Sequence, residues 1–194
     1  SGDGSSASSA LGTLTAAYKA AGDGDATFVI CGALKITARF NAPAHTGKIT
    51  FTSVYGGVDY RADGAAFNIQ SYTFACGGET EFADLNISAG TGVIAGNFKG
   101  LTLGEGITTS GKIYICGGNN NEKTTAFTGQ SYLTVNSGKY LDVCTFGRST
   151  ANVSHTGKMT VFVGGTTVVT GGVNLGVGNA ASSKGGSADL TLSG

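Results

Sequence analysis

One short pattern occurs four times in this chain: Ser or Thr, then Gly-Lys, then an apolar residue. It appears as HTGKIT from His45, SGKIYI from Ser110, SGKYLDV from Ser137 and HTGKMT from His155. The two His-Thr-Gly-Lys copies stand 110 residues apart, which is five steps of 22. Gly47 and Gly111 are 64 apart, close to three such steps, and the later gaps of 27 and 19 bracket the same value. A degenerate period with insertions is what stacked structural units leave in a sequence, because each unit buries its apolar face only against the next.

A second punctuation agrees with the first. Apolar runs end in glycine at Ile30 (ICG), Val54 (VYGG), Ala75 (ACGG), Ile115 (ICGG), Phe162 (FVGG) and Val169 (VTGG). Glycine tolerates the positive φ of a tight corner, so a strand followed by glycine reads as a bend. Within the runs Ile49 and Phe51, Ile113 and Ile115, and Met159, Val161 and Val163 recur with period two, which places each set on one inward face. In SGKYLDV the apolar Leu141 and Val143 come one place late, which predicts a register shift or bulge. The exception to this strand pattern is SALGTLTAAYKAAGDG. It spaces Leu11, Leu14, Ala17, Tyr18 and Ala21 as a helix does, with Thr13 as N-cap and Gly22 as stop. A helix over about 9–22 would cover the open strand edges at one end of the stack.

The expected fold is therefore all-β: a parallel β-solenoid with coils of roughly 22 residues over 26–194, capped by the N-terminal helix. A helix packed on a β-sandwich is the competing architecture. Composition narrows the classes further. The 34 glycines come with a single proline, so no collagen-like repeat is present, and 40% hydrophobic residues are too many for a disordered chain. Twelve basic and twelve acidic residues cancel, which removes the electrostatic footprint for nucleic acid or an anionic membrane. No apolar run approaches the ~20 residues needed to span a bilayer, so no membrane insertion is expected.

The stretches GDGSSASSALGTLTAAYKAAGDGDATFVICGAL, APAHTGKITFTSVYGGVDYRADGAAF and GKMTVFVGGTTVV, with the later VNLGVGN and GSADLTLSG, resemble the large repetitive adhesin-like surface proteins of anaerobic gut Firmicutes. The resemblance covers nearly the whole chain. It implies a right-handed parallel β-helix, an extracellular, cell-wall-associated location and a display role. It carries no catalytic residues to transfer. The cysteines depart from it, standing where related repeats often have other small or apolar residues. The start at Ser1-Gly2 and the stop at LTLSG read as a fragment of a longer repeat protein.

Candidate sites are few. His45 and His155 hold equivalent repeat positions, but five coils would separate them by about 24 Å, too far for one metal, so they read as corner landmarks. Cys31, Cys76, Cys116 and Cys144 form no C-x-x-C motif and read as inward-facing thiols. Only Cys116 and Cys144 stand near one coil apart, and their pairing stays open. Carboxylates cluster in VDYRADG (Asp59, Arg61, Asp63) and GGETEFADL (Glu79, Glu81, Asp84). These six residues are the candidates for a ligand or calcium site, with a solvated corner as the alternative.

Polysaccharide-active β-helices are represented by no recognisable motif: Asn-Thr-Asp, Asp-Asp, Gly-His-Gly and Arg-Ile-Lys are absent, and there is no tryptophan. Gly-Lys never has phosphate-loop spacing. Thr-x-Thr occurs at 13–15 and 50–52 without a regular array, and GGNNNEKTTAF at 117–127 reads as an insertion. The leading expectation is a non-enzymatic display or adhesion module, without a cofactor, that meets a glycan or host surface protein or serves as a stalk. A carbohydrate-active lyase or hydrolase using the six named residues is the alternative. Self-assembly with further repeats through the ADLTLSG edge is a third.

Overall fold

The computed structural model describes residues 2–119, 126–148, 154–176 and 186–193. These residues are mostly β, with two parallel sheets and one α-helix among them. The first sheet contains Ala26–Val29, Ile49–Thr52, Thr80–Phe82, Leu101–Leu103, Gln130–Val135, Lys158–Val163 and Ser187–Leu192, lying side by side in chain order. The second orders Ala33–Lys35, Ala66–Gln70, Asn86–Ala95, Thr108–Cys116, Lys139–Cys144 and Val168–Asn174 the same way, with Thr73–Ala75 and Phe40–Asn41 paired alongside. Each pass of the chain gives a strand to one sheet and then to the other.

The expected step of 22 residues needs correction. Ala26 pairs with Ile49, 23 residues on, and Thr80 with Leu101, 21 on. Ile49 pairs with Thr80, 31 on, Leu101 with Leu133, 32 on, and Lys158 with Ser187, 29 on. The extra length sits in the connections, where insertions do not disturb the strand pairing. In the 31-residue step it is an added hairpin and 3-10 turn over 54–63. The repeated Gly-Lys motif is likewise not one column. Two copies precede strands of the first sheet, at Ile49 and Lys158, and two belong to strands of the second, at Lys112 and Lys139. Four pairings, not five, separate the His45 and His155 strands, about 19 Å at the usual strand spacing.

The alternation of the sequence is realised. Ile49, Phe51, Ile113, Ile115, Met159 and Val161 are all essentially buried between the sheets. Phe51 and Phe82 from the first sheet stack at 4.9 Å, and Phe67 and Phe74 of the second meet them from across the core. The expected bulge in SGKYLDV also occurs, as a register shift between Tyr140 and Asp142. Its inward residues are Tyr140 and Val143; Leu141 instead packs against a smaller apolar cluster.

The helix runs Leu14–Ala21, later than the 9–22 expected, because Thr13 is extended and accepts a bond from Ala16 N–H as N-cap. Only a 3-10 turn, Ala7–Ser9, precedes it. Gly22 stops the helix at φ 64°. Leu14 and Tyr18 are buried, with the Tyr18 ring edge-on to Phe28 at 5.0 Å, so the helix covers the first strand pair.

Only some of the corner glycines have the cause expected. Of the glycine-ended runs, VYGG and FVGG use positive φ, at Gly56, Gly57 and Gly165. Gly77 is small for lack of space: a Cβ there would lie 1.8 Å from the Pro43 carbonyl. Residues 120–125 of GGNNNEKTTAF and 177–179 of VNLGVGN lie outside the described residues.

Candidate binding cleft and charged corners

After Ile49–Thr52 the chain leaves the parallel sheets to form an antiparallel hairpin, Val54–Tyr55 with Val58–Asp59. Gly56 and Gly57 turn it with φ 59° and 81°, a two-residue turn that a Cβ would strain at both positions. The 3-10 turn Tyr60–Asp63 follows, with the Asp59 carboxylate accepting from Arg61 N–H and Gly64 closing it in the left-handed region. The hairpin projects, leaving Tyr55 63% exposed. It borders a cleft of about 850 Å³ between the N-terminal segment and the first strands, walled by Phe28, Leu34, Tyr55 and Tyr60. Asp3, Ser5 and Ser6 add polar groups to the lining. Hydrogen bonds from the Ser5 N–H and the Ser5 and Ser9 hydroxyls hold the Asp3 carboxyl down at about 2, so it is a fixed acceptor at neutral pH.

The six charged candidates fall into separate groups. Arg61 forks onto Asp59, with Nε–Oδ1 at 2.9 Å and Nη2–Oδ2 at 2.7 Å, and donates Nη1 to the Gly106 carbonyl at 2.8 Å. Asp84 approaches the same guanidinium at 3.8 Å. The Arg61 bonds lower the Asp59 carboxyl, and Asp59 in turn raises the arginine. Asp63 is exposed on the turn beyond. Glu81 instead pairs with Lys48 at 2.6 Å, a bond that raises the lysine. Glu79 lies beside Tyr132, whose hydroxyl is pushed up to about 12, first by burial and then by its bond to that carboxylate. Arg61 therefore joins Asp59 and Asp84, while Glu79 and Glu81 are engaged elsewhere. Among the described residues no three His, Cys, Asp or Glu side chains are grouped to hold a metal ion.

Sequence spacing missed one surface row. Successive pairings align Thr27, Thr50, Glu81, Thr102, Thr134, Phe162 and Thr191 across the first sheet. Five threonines share a file there, interrupted by Glu81 and Phe162. Unequal steps hid it; only the strand register reveals it.

The two histidines are buried and in opposite tautomers. His45 Nδ1 donates to the Gly47 carbonyl at 2.9 Å, whereas His155 Nδ1 accepts the Phe127 N–H at 3.0 Å. His155 also stacks on Phe146 at 5.4 Å. Burial lowers its affinity for a proton, and protonated Nδ1 would oppose the Phe127 N–H. The unfolded chain then binds the proton more tightly, so stability falls as pH drops through the ordinary histidine range. Thermal unfolding midpoints should decline from about pH 7 to about pH 5, and His155→Asn, which keeps an acceptor near Nδ1, should flatten that decline. An identical decline in the variant would remove His155 as its source.

All four cysteines are free thiols. Cys76 faces the main core, as expected. Cys116 and Cys144 do not: Ile115 and Val143 take the inward positions, and the two thiols lie on the opposite face of the second sheet. They are buried there with Ala75, Ala95 and Tyr114.

No protein-family model, no curated protein and no solved structure matches this chain.

Proposed function

We propose that the chain is a right-handed parallel β-solenoid module of an extracellular cell-surface protein, and that it acts as a non-enzymatic adhesion unit holding a neutral glycan in the Tyr55 cleft. Strands that alternate between two parallel sheets around a shared apolar core support the solenoid, because each pass completes its burial only against its neighbours. The observation that carries the adhesive role is the contrast between the charged corners and the cleft. Arg61 and Glu81 are satisfied by partners of this chain, whereas Tyr55 stands 63% exposed at a cleft lined by hydroxyls and a fixed acceptor. An exposed tyrosine offers an apolar face to the C–H surface of a sugar and a polar tip to its hydroxyls. The zero net charge suits an uncharged ligand, whose binding salt screens little.

The test is a glycan array probed with the purified protein, followed by titration of the hits. Tyr55→Ala should weaken binding about tenfold or more, about 1.4 kcal/mol, with little change across added salt. Undiminished binding by Tyr55→Ala, or binding abolished by salt, would contradict the cleft. A protein that binds no glycan would leave a host surface protein or further repeats of the same chain as the partner.

A further inference from the structure

We infer that Cys116 and Cys144 form a thiol–disulfide exchange site, a cross-strand dithiol that low-molecular-weight disulfides convert to one internal disulfide. Thr108–Cys116 and Lys139–Cys144 are parallel neighbours, and the two cysteines are direct register partners. Register partners on adjacent strands stand about 5 Å apart, within the ~4.4–6.8 Å between Cα atoms that a disulfide spans. Both side chains leave the same face of the sheet and are buried together in the same apolar cluster. Closing the bond therefore requires little backbone movement. Cys76 has no such neighbour, since it sits in the main core.

The surroundings distinguish the two sulfurs. Asn174 Nδ2 points at Cys144 Sγ from 3.8 Å. The Arg148 guanidinium, seated 3.6 Å over the Tyr114 ring, adds a positive charge that favours both thiolates. Asp142, aligned with Tyr114, is the opposing charge beside Cys144. The neighbouring Cys116, helped by Asn174, pulls Cys144 below the usual thiol range against the effects of burial and Asp142. The same contact pushes Cys116 up. The Asn174 amide aimed at its sulfur makes Cys144 the attacking thiolate and Cys116 the resolving thiol.

In a local opening that uncovers the buried sulfur, the Cys144 thiolate attacks one sulfur of a disulfide RSSR, forming a mixed disulfide and releasing RS⁻. Cys116 then gives its proton to RS⁻ and attacks the Cys144 sulfur, expelling the second RS⁻. The two protein thiols are oxidised and one RSSR is reduced to two RSH, counting the proton that Cys144 lost first.

The experiment incubates the reduced full chain to equilibrium in 2-hydroxyethyl disulfide, then reads intact mass and peptide maps after acid quenching. The peptide map of the native protein should show a 116–144 linkage with the loss of two hydrogen atoms, beside a reagent adduct on Cys31, and the oxidised form should unfold at a higher temperature. In a Cys31→Ser background, Cys116→Ser should accumulate the mixed disulfide on Cys144, while Cys144→Ser should leave Cys116 free. Retention of both thiols in the native protein at equilibrium, with Cys31 converted, would overturn the site. That native measurement needs no variant to fold. Equal reactivity of Cys116 and Cys144 in the two single variants would overturn the assignment of attacker and resolver.

Discussion

Phe51→Ala should lower the unfolding free energy by about 3–5 kcal/mol, as loss of a fully buried aromatic does when its surroundings cannot collapse. Phe51 is 0% exposed and sits at the meeting point of the sheets. Its ring stacks on Phe82 at 4.9 Å and on Phe67 at 6.0 Å, and meets Phe28 and Phe74 edge-on at 5.2 and 5.6 Å. The backbones around it belong to two hydrogen-bonded sheets, so the space would remain as a cavity. Urea unfolding should show a lower midpoint with an unchanged slope. Tyr55→Ala, on the exposed hairpin, should change stability by no more than about 0.5 kcal/mol, which keeps it usable as a binding variant. A loss below about 1 kcal/mol for Phe51→Ala would mean that the ring is not in a packed interior.

Gly111→Ala should be comparably severe, for a backbone reason. Gly111 lies at φ 83°, and a Cβ there would come within 1.7 Å of the Ala89 carbonyl oxygen. That carbonyl lies at the register shift between Ser88 and Thr91 in the neighbouring strand, where it cannot retreat as a flexible side chain would. The left-handed backbone costs about 1–2 kcal/mol and the overlap about 1–3 kcal/mol, giving about 2–5 kcal/mol together. Gly57 is the matched control: its φ is 81°, and a Cβ there meets nothing within 4 Å. Gly57→Ala should cost only the conformational part, about 1–2 kcal/mol. Equal losses at the two sites would show that Ala89 does not press on Gly111.

These two positions also mark how far the sequence could be read. Ile49 and Phe51, or Met159 and Val161, declare their inward face by alternation, since a strand has no other way to put them together. Thr13 and Gly22 declare the helix ends by local chemistry that needs no tertiary partner. Step length was less legible, because insertions such as the 54–63 hairpin lengthen a pass without changing the strand pattern. That error passed to everything counted in steps, including the His45–His155 separation and the threonine file through Thr50 and Thr102. Gly77 shows a second limit: a glycine needed for close approach looks the same in sequence as one needed for positive φ. At the charged corners, spacing placed Asp59 beside Arg61 but gave no sign that Asp84 would join them or that Lys48 would take Glu81. The Tyr55 cleft was invisible, because it depends on where the hairpin sits against the N-terminal segment. The chance of contact between Cys116 and Cys144 was visible in their spacing; the face they occupy was not.

The most direct test of the display reading is a crystal structure of the protein grown with calcium and mixed oligosaccharides. The account predicts sugar against the Tyr55 ring, Phe51 and Phe82 stacked between parallel sheets, and Arg61 and Glu81 still bound to Asp59 and Lys48. Calcium or sugar held jointly by the 59–63 and 79–84 segments, with those ion pairs broken, would contradict it and turn the search to catalysis.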